Sequence, residues 1–313
     1  MGRNLRKRWQ SGTVFEKEKT RIFAALIEKT MKKFITVIFT LLVGIGLFAQ
    51  GKINTRKYLL SDFTEKVTQV VLTGNEVLDS GLKQEVVNTW TASPFEFCTL
   101  DKFETLKTSD KYYFLLSAES RFKDEETPGI TFLTLVKGGP EAKDGISAMM
   151  DVISLPLMAA AGSSGRELIY LGALIQAVQE FTLAAMESEK VAYGMDLWFN
   201  QNYAKYGKMK QIYLSEDDLS EKVTPKQLER FLDEDIHIVE EAEADKAYTD
   251  GGFNTLTSYV VAPFMPQNGA SYCYKLLFEA DTHTLYYIGK HKITEKTGVG
   301  FIADDLKRLA RKR

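Results

Sequence analysis

The sequence predicts an α/β fold: two related β-α-β-α-β-β mixed-sheet units flanking a long buried helix. Three observations predict it. Short apolar runs patterned as strands alternate with amphipathic helical stretches, the order that builds sheets with parallel pairs and helices packed on them. The same order of elements occurs twice at similar spacing. One stretch, about Arg166 to Glu189, is apolar around most of its circumference, as a helix buried on nearly every side must be.

The first unit spans 57–137. An apolar strand begins at Gln69-Val70-Val71-Leu72. A helix follows, with Asn75 as its cap and Val77, Leu78, Leu82, Val86 and Trp90 spaced along one face. Next come a strand over 95–99, a short helix around Asp101-Lys102-Phe103, and a strand over 112–118. A turn at Thr127-Pro128-Gly129 leads to a strand over 130–136.

A helical insert spans 146–206. Residues 146–160 read as a helix interrupted by Pro156. Ser164-Gly165-Arg166-Glu167 has the capping-box pattern, with Ser164 at the cap, and opens the long helix. Its stripe is Leu168, Leu171, Ile175, Val178, Phe181 and Ala185, which places it between the two units.

The second unit spans 210–313 and repeats the order. Strands are expected over 211–214, 236–240, 258–262 and 271–279, with a return strand over 284–292. Thr224-Pro225 opens a helix carrying Leu228, Phe231 and Leu232, Pro suiting the first helical position. Asp245-Lys246-Ala247-Tyr248 matches the first unit's short helix, and residues 301–311 form a terminal amphipathic helix. Shared identities are few: the opening Gln, Lys-Gln in each helix, and Asp-Lys in each short helix. An internal duplication and a chance likeness of short α/β units both fit. The element order resembles the amino-terminal α/β domain of TolB-like periplasmic proteins, a likeness carried by order alone and by no motif.

Residues 31–49 read as a secretory signal peptide inside the chain. Met31, Lys32 and Lys33 are its basic start, and a short apolar run from Phe34 to Phe48 precedes a cleavage site at Ala49. The FAQ ending resembles leaders of exported Bacteroidota-type proteins. Residues 1–30 then read as a spurious or disordered extension. A cleaved leader, favoured over a retained anchor, leaves 264 residues with no stable transmembrane helix, located in the periplasm, at the cell surface or secreted.

The remaining chain carries 30 basic and 39 acidic residues, a formal charge of −9. That balance argues against nucleic acid as a partner. The basic tail Lys307, Arg308, Arg311, Lys312, Arg313 fits as a complement to a helix carboxyl end. Cys98 and Cys273 sit in strand patterns, and buried free thiols are favoured over a bridge.

No catalytic residue, metal site or cofactor is assigned. His237, His283 and His291 lack ligand spacing. Ser163 and Ser164 lack the strand-to-helix elbow of a hydrolase, and Lys137-Gly138-Gly139-Pro140 is no phosphate loop. The acids Glu240, Glu241, Glu243 and Asp245, and the pair Asp217-Asp218, read as solvated helix starts. One stretch, 193–206, combines aromatic faces with amide donors. Tyr193, Trp198, Asn200 and Tyr203 are its candidates for a small ligand or glycan, against packing of the long helix's exit. The leading expectation is a non-catalytic exported binding or structural component of the envelope, with an envelope protein or glycan as partner. The alternatives are a ligand-binding protein using 193–206 and a hydrolase whose carboxylates come from distant strands.

Overall fold

A computed structural model describes residues 59–310. The leader 31–49 and the extension 1–30 lie outside the described residues. The fold is mixed α/β, with two five-stranded sheets and eight helices among the described residues.

The first sheet contains β1 (Val67–Val71), β2 (Phe95–Cys98), β3 (Tyr112–Ser120), β4 (Ile130–Lys137) and β5 (Met150–Ala159), in the order β2-β1-β3-β4-β5. The pairs of β1 with β2 and β3 are parallel; β3–β4 and β4–β5 are antiparallel. Helices α1 (Glu76–Thr89) and α2 (Leu100–Leu106) make the two crossovers. The second sheet contains β6 (Gln211–Ser215), β7 (Ile236–Val239), β8 (Thr255–Val261), β9 (Tyr272–Glu279) and β10 (Leu285–Lys292). Its order, β7-β6-β8-β9-β10, and its strand directions repeat the first. Helices α6 (Pro225–Phe231) and α7 (Glu241–Thr249) cross over here. Between the sheets in sequence lie α3 (Arg166–Glu187), α4 (Glu189–Ala192) and α5 (Met195–Tyr206); α8 (Ala303–Leu309) follows β10.

The layers are set by three apolar clusters. The sheet face bearing Tyr113 and Leu115 packs on α1 and α3, and its other face, with Phe114 and Leu116, packs on Phe103 of α2. In the second sheet, Tyr259, Leu276 and Phe278 join α3 and Tyr248 of α7 in the central cluster. The opposite face, with Ile212, Leu214 and Leu256, lies under α6 and α8. The first crossover helix of one half therefore faces α3, while its counterpart in the other half faces away. The halves are stacked in the same sense, like successive repeats, and α3 is the shared filling. Its length and hydropathy would suit a membrane span, but Leu171, Leu174, Ile175, Val178 and Phe181 are spent inside the protein, each worth about 1.5–3 kcal/mol of burial.

Local signals explain most elements. The Asn75 side chain accepts the N–H groups of Val77 and Leu78 and starts α1. Thr224 and Gln227 form a full capping box at α6 behind Pro225. Val77 is corrected: it is 65 % exposed, off the stripe formed by Leu78, Leu82 and Val86.

The largest correction concerns residues 146–160. They are not a helix; Met150–Ala159 is β5, the fifth strand of the first sheet. Each half is thus β-α-β-α-β-β-β, and the sheet runs into the expected insert. Pro156 is tolerated because β5 is an edge strand, paired opposite Phe132 beside an irregularity in register. Ser164 is not the cap of α3 either. Gly165 holds that place at φ 90°, where a side chain is strained. The buried carboxylate of Glu167 accepts the Gly165 N–H at 3.0 Å and the hydroxyls of Ser163 and Ser164. Cys98 and Cys273 are both free and buried, in separate sheets.

Asp62 ties the first described residues to β3 and β4. Lys137 Nζ reaches both carboxylate oxygens at 2.9 Å, and the Tyr113 hydroxyl donates to Oδ1 at 2.7 Å. Burial opposes ionisation, but hydrogen bonds from Lys66, Tyr113 and Lys137 outweigh it and hold the carboxyl at about 2. The stabilisation is present above the unfolded value near 3.9 and is lost as pH falls through it toward about 2. Asp62 is one-third exposed, so solvent screening reduces the effect, and Asp62→Asn is expected to destabilise by about 1 kcal/mol at pH 7. Urea melts at pH 7 and pH 2.5 check this: the gap to wild type should narrow markedly at the lower pH.

Candidate functional site

In a sheet of order 2-1-3-4-5, ligands favour the carboxyl ends of the strands where the order reverses, between the first and third. In both such places the chain's own polar groups engage one another. After β1, the N–H groups of Thr73 and Gly74 and the Thr73 hydroxyl hold the buried Asp79 carboxylate at 2.7, 2.9 and 2.9 Å. Beside β6 and β8, a crevice of about 320 Å³ has Arg166 in its wall. Arg166 Nη1 donates to Asp218 at 2.9 Å and lies 3.3 Å from Glu241. Nε and Nη2 donate to Asp245 and Nη2 to the Ser258 carbonyl, at 2.9–3.1 Å. The guanidinium lies 5.7 and 5.6 Å from the rings of Tyr170 and Tyr259, which stack on each other.

This corrects the reading of Asp218 and Asp245 as solvated helix starts. Asp218 is 3 % exposed, its Oδ1 taken by Arg166 and its Oδ2 by the Ser258 hydroxyl at 2.6 Å. Burial pushes the Asp218 carboxyl up, while Arg166 pulls it down; burial would lower Arg166, but Asp218 and Asp245 keep it charged. The Asp245 carboxylate is held by Arg166 and the Tyr170 hydroxyl. A general acid or base needs an oxygen free to reach a substrate proton. These carboxylates serve as counter-charges that clamp the start of α3 to the second half.

A groove of about 1070 Å³ lies on the outer face of the second half, between the ends of α5, α6 and α8. Buried Tyr203 and Tyr287 and half-buried Phe231 line it. Four cations from three elements surround it: Lys208 after α5, Arg230 in α6, and Lys307 and Arg308 in α8. None of them is ion-paired to a carboxylate among the described residues. Asp304 is the one acid in the lining among the described residues. Against the four full cations stand Asp304 and three helix carboxyl ends of roughly −0.5 charge each, which leaves the groove net positive.

Two of the four candidates in 193–206 line this groove, and two do not. Asn200 spans Ile288 at the outer edge of β10, accepting its N–H at 2.8 Å and donating to its carbonyl at 3.0 Å. Asn202 donates to the Leu285 carbonyl at 2.9 Å. The amides therefore satisfy an open sheet edge. The Tyr203 hydroxyl donates to the Leu309 carbonyl at 2.6 Å and ties α5 to α8. Trp198 is half-buried, edge-on to Phe181 and Phe199 at 5.8 and 4.8 Å. Tyr193 is 56 % exposed, just past α4. Sequence reasoning missed Lys208 and Arg230 and assigned Lys307 and Arg308 to the helix dipole alone. The available signal was basic residues recurring at helix carboxyl ends.

No group of three or more His, Cys, Asp or Glu among the described residues is placed to hold a metal ion. Comparison with known proteins adds no relative: no protein family, curated protein or solved structure matches this chain.

Proposed function

We propose that the protein is an exported, non-catalytic binding component of the cell envelope, and that it takes an anionic partner in the groove between α5, α6 and α8. The single observation that carries this is the convergence of Lys208, Arg230, Lys307 and Arg308 on a lining whose one acid among the described residues is Asp304, in a chain whose net charge is negative. Opposite charge steers encounter and fixes orientation. Export is supported by the leader-like stretch at 31–49. A binding role over hydrolysis is supported by the carboxylates Asp218 and Asp245, whose oxygens are engaged by Arg166, Ser258 and Tyr170.

Poly-L-glutamate is the probe. Wild type is expected to bind it with an affinity that falls as salt rises. The double variant Arg230→Glu/Lys307→Glu changes two exposed side chains and is expected to bind at least tenfold more weakly with an unchanged urea midpoint. Equal binding by both forms would place the anion site elsewhere. Amino-terminal sequencing of the exported protein checks the leader, with Gln50 expected first.

A further inference from the structure

The two halves share strand order and direction, so each element of one has a counterpart in the other. Helix α3 follows β5 and packs on α1; α8 follows β10 and packs on α6. The first pair runs side by side in one direction. Gly81 lies under Leu168 and Leu171, Gly172 lies against Glu85 and Thr89, and the Gln179 amide bonds the Thr89 carbonyl and the Thr91 N–H. The lengths differ sharply: α3 has 22 residues and α8 has 7. Helix α3 is the longer by about 22 Å, at 1.5 Å per residue.

The groove runs beside α8 from Asp304 to Ala310. It opens beside Lys307, Arg308 and Ala310 at the carboxyl end of α8, and is flanked by Arg230 and Phe231 at the end of α6. In the first half, the later turns of α3 continue past the end of α1, and Val178 and Phe181 are buried in the central cluster. We propose that the groove receives an amphipathic helix of a partner protein, apolar on the side facing Phe231 and Tyr287 and acidic along its flanks. It would lie on the second half as α3 lies on the first. The acidic flanks follow from the four cations, and an apolar stripe at i, i+3, i+4, i+7 is the form in which a helix fills such a groove. The strongly basic residues 1–30 of this chain have the wrong sign for the berth. This inference rests on the groove being the binding surface.

The test uses a fluorescently labelled 20-residue peptide with Leu at i, i+3, i+4 and i+7 spacing and Glu on both flanks. A scrambled peptide of the same composition and poly-L-glutamate are the controls. Anisotropy gives affinity, and circular dichroism gives helicity. The ordered peptide is expected to bind at least tenfold more tightly than the scrambled one, to gain helicity on binding, and to lose at least tenfold against Arg230→Glu/Lys307→Glu. Equal binding of ordered and scrambled peptides overturns the helix berth and leaves an anion-binding groove. Tight binding that the double variant retains overturns it too, since the peptide then sits elsewhere. No binding of any acidic probe, poly-L-glutamate included, removes both the berth and the proposed function.

Discussion

Arg166→Met is expected to destabilise the protein by about 3–5 kcal/mol at pH 7, the range for removing one partner of a buried ion pair. The guanidinium is the cation on which Asp218 and Asp245 both close, and it lies 5.7 and 5.6 Å from the stacked rings of Tyr170 and Tyr259. Methionine keeps part of the packing and none of the charge, so Asp218 is left inside with the Ser258 hydroxyl as its remaining donor. Its folded pKa, already pushed up by burial, rises further. For an acid whose folded pKa is raised, stability is intact below the unfolded value near 3.9 and is lost as pH rises through it. The gap between variant and wild type should therefore be smaller at pH 4 than at pH 7. Adding Asp218→Asn removes the stranded charge and is expected to recover part of the loss at pH 7 and little at pH 4. Urea melts of both variants at the two pH values provide the check; a loss under about 1 kcal/mol at pH 7 would show the carboxylates to be well hydrated.

Much of the fold was legible because the signals are local. Asn75, the Thr224-Pro225 start and the apolar runs of β3 and β8 declare their elements within a few residues. The long helix also declares its own burial, since apolar residues cover most of its circumference. The strand β5 was hidden by composition. Its Met, Leu and Ala residues favour helix, and the decision is made by pairing with β4, a tertiary fact. Pro156 was the clue, since a proline inside a helix costs about 3 kcal/mol. Arg166 could not be read as a keystone because its partners stand 52 and 79 residues away. The groove was hidden for the same reason. Lys208, Arg230 and Lys307 are unremarkable one at a time and converge only when α5, α6 and α8 end together.

Asp305→Ala is expected to lose about 3–5 kcal/mol as well, and to weaken the groove with it. Asp305 Oδ2 accepts from Lys275 Nζ at 2.7 Å and from the Ile302 N–H at 3.0 Å, and Oδ1 accepts from the Tyr287 hydroxyl at 2.6 Å. Lys275 is 1 % exposed, so removal of the carboxylate strands an ammonium whose remaining contact is His291 Nδ1 at 2.8 Å. That contact requires a neutral imidazole accepting at Nδ1, with Nε2 donating to the Gly298 carbonyl. Burial lowers His291 below its ordinary value, and the Lys275 charge adds to this. As pH falls through about 6.5 the unfolded chain takes the proton first, so the wild type loses stability there. Replacing Lys275 by Met in the Asp305→Ala background removes the stranded charge. It should restore part of the stability at pH 7 and shrink the acid-side loss, readable in urea midpoints between pH 7.5 and 5. The consequence for binding follows from position. Asp305 anchors the start of α8, which carries Lys307 and Arg308 into the groove. Asp305→Ala should bind poly-L-glutamate more weakly than wild type, and Asp305→Ala/Lys275→Met should regain binding to the extent that it regains stability. Lost binding with stability intact would place Asp305 at the ligand itself, and the latch would not be its role.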